Sequence, residues 1–209
     1  MVVIHHTAMR GCADALERLC APEHEVSAHY LISEQGAVFA LVPEDLRAWH
    51  AGQGRWGDVT DVNSRSIGIE LANPGNAPFA ASQMRALEQL LPGIIARHRI
   101  LPQRVIAHSD VAPTRKGDPG RRFDWRRLAV QRLSVWPEAR AQGGPADREA
   151  FGAAAVAFGY DPDQPVEVVL AAFRLRFRPW AAGPLGTEDM AAIADLARRF
   201  PVDRTTARA

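Results

Sequence analysis

Two histidines end short apolar runs, Val2–His5 and Arg104–His108, and an aspartate, Asp118, follows the second of them by ten residues. Imidazole nitrogen and carboxylate oxygen are donors that a catalytic zinc takes, commonly three of them, with the fourth position left to a water whose pKa the metal lowers to about 7. His5, His108 and Asp118 could therefore make an open zinc site. Spacing alone does not select them, because a chain with seven histidines offers several such triples. A strand-capping His5, with Asp118 making the turn before Pro119 and Gly120, accounts for the same residues. Two more side chains invite chemistry. Ser66–Ala72 alternates, with Ile67, Ile69 and Leu71 on one face and Gly68 and Glu70 on the other, so Glu70 projects away from the buried side of its strand. Lys116 is the one lysine among 25 Lys and Arg residues. A chain that uses arginine for its surface cations keeps this compact ammonium two residues from Asp118, where an extended loop turns both side chains the same way.

The elements that must position these groups are legible in outline. Val2–His5 reads as a strand, Ala13–Cys20 as a helix, and Val26–Ser33 with Gly36–Val42 as a hairpin turned at Glu34, Gln35 and Gly36. Ser82 can cap a helix that carries Met84, Leu87, Leu91 and Ile94 on one broad face, with Pro92 as a kink. Arg104–His108 is a further strand, followed by a Pro- and Gly-punctuated loop, Ser109–Arg122. This is an α/β pattern, a mixed central β-sheet flanked by helices. Small and turn-forming residues at 141–146 read as a linker. Beyond it, Asp147–Phe158, Pro165–Phe177 and Thr187–Phe200 are helical runs. The expected organisation is one unit over residues 1–140 and a small three-helix unit over 147–205.

Composition narrows the function classes. With 209 residues, 47% hydrophobic, 23% charged and a formal net charge of +1, the chain has a globular balance and lacks the cationic excess of a nucleic-acid binder. No apolar run approaches the ~20 residues of a membrane span. Cys12 and Cys20, eight residues apart on one helix, have Cα atoms ~12 Å apart, too far for a disulfide, and read as packing thiols. His24 and His29 are one residue too far apart for the His-Glu-x-x-His zinc motif.

Five segments in order, Val3–Ala8, Val26–Ile32, Arg47–Gly52, Ser66–Leu71 and Ala107–Gly120, resemble the zinc N-acetylmuramoyl-L-alanine amidases of the AmpD and AmiD type over residues 1 to about 130. The resemblance implies a Zn2+ cofactor held by His5, His108 and Asp118, and hydrolysis of the amide between the lactyl group of N-acetylmuramic acid and L-alanine. It implies Glu70 as general base and Lys116 as the cation that stabilises the oxyanion. Of the adjacent His5 and His6, strand alternation aims only one at the metal; the family pattern favours His5 and leaves His6 to line the substrate groove. A tyrosine of the related phage lysozyme branch is replaced here by Ala28, which places the base function on Glu70.

Other candidates carry open alternatives. His29 reads as a core or groove-floor hydrogen-bonder. Trp49, His50 and Asn73 could floor the saccharide and peptide subsites, with packing or turn-making as the competing reading. Arg121, Arg122, Arg126 and Arg127 could steer substrate carboxylates or form a solvated helix face. The C-terminal helices resemble the peptidoglycan-binding-like domain of AmiD-type enzymes, or they simply pack on the first unit. The expected partners are peptidoglycan fragments (muropeptides), of the 1,6-anhydro form, in cell-wall recycling, and the lack of an export signal points to the cytoplasm. An exported wall amidase and a non-catalytic recognition module are the rival readings.

Overall fold

A computed structural model of the chain describes residues 1–138 and 145–202. Most of the expected linker, and the last three residues of the expected second unit, lie outside them. Five strands form one sheet in the order β3-β2-β4-β1-β5: β1 (Val2–His6), β2 (Tyr30–Ile32), β3 (Val38–Ala40), β4 (Ile67–Leu71) and β5 (Val105–Ala107). β1 runs parallel to β4 and β5, β2 runs parallel to β4, and only β3 is antiparallel. The sheet is thus mixed, as expected. Its helices are α1 (Cys12–Cys20), α2 (Ala81–His98), α3 (His108–Val111), α4 (Trp125–Val130), α5 (Arg148–Phe158), α6 (Val166–Phe177) and α7 (Thr187–Arg199).

Alternation along the strands divides the core in two. Val2 and Ile4 of β1, with Ile69 and Leu71 of β4, join Met84, Leu87, Leu91 and Ile94 of α2. Val3 and Ile106 point the opposite way and share a second cluster with Phe151, Phe158, Phe173, Phe177, Ile193 and Leu196 of α5, α6 and α7. The C-terminal helices therefore bury the face that α2 leaves open. Fully burying side chains of this kind stabilises by ~1.5–3 kcal/mol each.

Several expectations are corrected in detail. The first hairpin strand shrinks to Tyr30–Ile32, because Ser27 leaves the sheet to exchange hydrogen bonds with Trp49: its N–H donates to Trp49 O at 3.0 Å and its Oγ accepts from Trp49 N–H at 2.9 Å. Ser82 does not cap α2, which starts one residue earlier; its hydroxyl donates to Glu34 O at 2.6 Å and pins the β2–β3 turn. That turn needs Gly36, at φ +91°, where a Cβ would stand 2.8 Å from Ser82 O. Pro92 lies inside α2, which runs on to His98. β5 stops at Ala107, and His108 begins the helical turn α3 inside the expected loop. Cys20 is exposed rather than packed, and Cys12 is half-buried.

One buried ionic contact joins the C-terminal helices to the sheet beside His108. Arg176 of α6 and Asp110 of α3 are both fully buried, with Nη1 to Oδ2 at 2.6 Å. Arg176 Nη2 also donates to Val105 O and Ser134 Oγ, and the guanidinium lies 4.5 Å from the Trp125 ring centroid. Tyr160 donates to the other Asp110 oxygen at 2.8 Å, and Asp110 accepts the Ala107 N–H at the start of α3. Removing one partner of a buried pair leaves an uncompensated charge, so Arg176→Met should lower the unfolding free energy by about 3–5 kcal/mol. Tyr160→Phe, which deletes a single hydrogen bond to a charged group, should cost about 1–3 kcal/mol; urea titration of both variants checks the order.

Candidate active site

The parallel strands deliver their carboxyl ends to one edge of the sheet, the edge at which open α/β sheets place ligands. In register, His5 lies beside Glu70 and Ile4 beside Ala107. His5 near the end of β1, Glu70 near the end of β4 and His108 just after β5 are therefore neighbours. Ser109 N–H donates to Asp118 O at 3.0 Å, which folds the loop back and returns Asp118 to the same place. His5 Nδ1 and His108 Nδ1 stand 2.9 Å apart, and each is within 3.1 Å of Asp118 Oδ2. These three atoms could hold a metal ion.

Protonation favours that use. His108 Nε2 lies 3.0 Å from the carbonyl of Ala51, which can only accept, so the ring proton sits on Nε2 and the Nδ1 lone pair faces the cluster. Burial, then repulsion from His108, lowers the His5 pKa to about 4 and keeps the ring neutral at physiological pH. Asp118 Oδ2 stands between these two nitrogens as the carboxylate member of the cluster. The donor set, two imidazoles and a carboxylate, is one that zinc accepts.

A cleft of about 270 Å3 opens over these atoms. Glu70 lies in its wall; among the described residues its Oε2 is buried without a hydrogen-bond partner. Burial, reinforced by the nearby Asp118 charge and opposed by Lys116, raises its pKa to about 8. Lys116 and Asp118 line the same cleft, with the Lys116 side chain exposed at its rim. His6 lines it too, with Nδ1 accepting the Ala8 N–H. Trp49, 55% exposed, forms part of the rim, with the Arg47 guanidinium 4.2 Å from its ring centroid.

The remaining candidates sit deeper. His50 is at the cleft floor, its Nδ1 3.0 Å from His5 Nε2. His29 is buried, with Nδ1 accepting Gly68 N–H and Nε2 donating to Leu46 O, so both nitrogens are committed to backbone. Asn73 is buried outside the cleft; its side chain accepts from Gly75 N–H and donates to Ala77 O and Pro78 O, closing its own turn. Sequence reasoning missed Arg18, Leu19 and Ser27 in the cleft wall. It also missed Asn63, whose Oδ1 receives the N–H groups of His50 and Ala51, and Arg115, which donates to Ala51 O and Gln53 O. No local pattern in the sequence marks these residues.

Residues 1–121 match the family described as N-acetylmuramoyl-L-alanine amidase. The chain is 38% identical over 211 aligned residues to N-acetylmuramoyl-L-alanine amidase AmiD of Escherichia coli K12, covering 86% of this chain and 75% of that protein. A structure of AmiD from E. coli with the substrate anhydro-N-acetylmuramic acid-L-Ala-D-gamma-Glu-L-Lys superposes with a TM-score of 0.89 at 36% identity, over 97% of this chain and 90% of that one. AmpDh3 of Pseudomonas aeruginosa in complex with anhydromuramic pentapeptide gives 0.88 at 30% identity, over 96% and 92%. The 1,6-anhydro-N-acetylmuramyl-L-alanine amidase AmpD of Enterobacter cloacae is 40% identical over 103 residues, 49% of this chain and 55% of that protein.

Loss of one donor leaves two, too few to retain a divalent transition metal against a competing chelator. His108→Ala and Asp118→Ala should each take the bound metal from about one equivalent per chain to near none, read by elemental analysis after dialysis.

Proposed function

The chain belongs to the N-acetylmuramoyl-L-alanine amidase family, and on that premise we propose that it is a zinc hydrolase of soluble muropeptides. It cleaves the amide that joins the lactyl carbonyl of 1,6-anhydro-N-acetylmuramic acid to the nitrogen of L-alanine, as a step in recycling peptidoglycan fragments. The observation that carries this reading is the meeting of His5, His108 and Asp118 at the floor of a cleft walled by Glu70 and rimmed by Lys116. The anhydro-muropeptides named in the AmiD and AmpDh3 complexes support the substrate class.

His5 Nδ1, His108 Nδ1 and Asp118 Oδ2 would hold the zinc. Bound there, it would supply Lewis acidity and raise the acidity of water. Glu70 takes a proton from the attacking water: burial raises its proton affinity, and a cation held by the neighbouring donors would favour the ionised form that accepts the proton. As the C–N bond breaks, Glu70 returns the proton to the departing alanine nitrogen. The products are a muramic lactyl carboxylate and a stem peptide with a free amino terminus. Lys116 meets the carbonyl oxygen as it gains negative charge, an interaction stronger in the transition state than in the ground state. A cleft of about 270 Å3 accepts the scissile region, and the sugar lies over the rim, where the exposed Trp49 ring offers an apolar face.

Mass spectrometry of an anhydro-muropeptide digest, run beside intact sacculi with chelator and zinc add-back, tests the reading. Chelator-sensitive release of free stem peptide from the small substrate alone is expected; comparable attack on sacculi would indicate a wall hydrolase, and no cleavage with zinc present a recognition module. Glu70→Gln should retain zinc while kcat falls by roughly 10²–10⁴-fold. Lys116→Ala should lower kcat by roughly 10²-fold with a much smaller change in KM, because the lost contact belongs to the transition state.

A further inference from the structure

We propose that His50 and Ser66 form a hydrogen-bonded strut that fixes the tautomer and ring orientation of His5, making them positioning residues for the metal site. The inference rests on the zinc reading above and concerns what readies the chain's own ligand.

The proton count along the strut has one consistent solution. Ser66 Oγ lies 2.5 Å from Val62 O and 3.3 Å from His50 Nε2. A hydroxyl has one proton, and a carbonyl oxygen can only accept, so the short contact takes it. Toward His50, Ser66 is then an acceptor, and the His50 proton resides on Nε2. His50 Nδ1 is left with a lone pair 3.0 Å from His5 Nε2, which must donate. The His5 proton is thereby placed on Nε2, and its Nδ1 lone pair points at His108 Nδ1 and Asp118 Oδ2. The reverse assignment would turn an N–H of His5 into the cluster and set two unprotonated oxygens 2.5 Å apart at Ser66 and Val62.

The seat of the His50 ring is built rather than incidental. Asn63 Oδ1 accepts the His50 and Ala51 N–H groups, which fixes the backbone. The ring lies flat against β4 at Gly68, where any Cβ would come within 2.4 Å of its Cγ and Cδ2. It meets the His5 ring edge-on, with centroids 5.0 Å apart. Partners that orient a ligating histidine commonly change metal affinity by about 10–100-fold when removed.

The experiment is a zinc competition titration against a chromophoric chelator, on the full chain, with imidazole 15N NMR of the metal-free protein. His50→Leu keeps volume but offers no acceptor, and should weaken zinc by about 10–100-fold. Ser66→Ala, which removes one hydroxyl and spares the fold, should weaken it less. His50→Asn, whose Oδ1 can accept from His5 Nε2–H, should restore most of the affinity. In the wild type, NMR should place the His5 proton on Nε2. Wild-type affinity in both the Leu and the Ala variants, or a His5 proton on Nδ1, would overturn the strut. A folded wild-type chain that binds no zinc would instead overturn the functional reading itself.

Discussion

Two imidazole nitrogens and a carboxylate oxygen sit within 3.1 Å of one another, with the histidines buried. Atoms that all present lone pairs repel, and a low local dielectric sharpens the repulsion. Such a cluster is stable only if the scaffold holds each member from behind or a cation joins them in front. Each side chain is held by different means: His108 by Ala51 O, His5 by His50, and Asp118 by the loop that its own carbonyl closes onto Ser109 N–H.

The sheet does most of that holding. Four parallel strands end at one edge, and β4 and β5 bring Glu70 and His108, 65 and 103 positions along the chain, beside His5. Parallel strands need crossovers and covered faces. Here α2 covers one face and α5, α6 and α7 the other. The C-terminal helices also reach the active edge itself: Arg176 and Tyr160 bind Asp110, two residues beyond His108, and Gly57 N–H donates to Gly159 O at 2.7 Å, anchoring the segment that follows Ala51. Part of the support behind His108 thus comes from a region that composition separates from it.

Local sequence patterns fared best where a single element decides the outcome. The alternation in Ser66–Ala72 set the face on which Glu70 emerges, and helical periodicity located α2 and the three C-terminal helices to within a residue or so at most ends. They fared worse where a side chain's role depends on what lies across the fold. Ser82 looks like a cap and instead pins a distant turn; Asn73, a candidate groove residue, closes its own turn; Asp110 and Arg176, which no pattern along the chain links, form a buried pair.

By itself the sequence determined the α/β order of elements, the strand faces, and, through the resemblance of its motifs, which histidines, carboxylates and lysine are the candidates for chemistry. These follow from short-range periodicity and from residue chemistry carried along the chain. Tertiary structure alone decided that His5, His108 and Asp118 meet, that His29 is spent on backbone while His50 backs His5, and that the Arg176 guanidinium, 66 residues from Asp110 in the chain, lies buried against it. The physical reason is that proton placement, burial and ion pairing are fixed by atoms within about 3 Å in space, and the parallel crossovers bring those atoms together from distant parts of the chain.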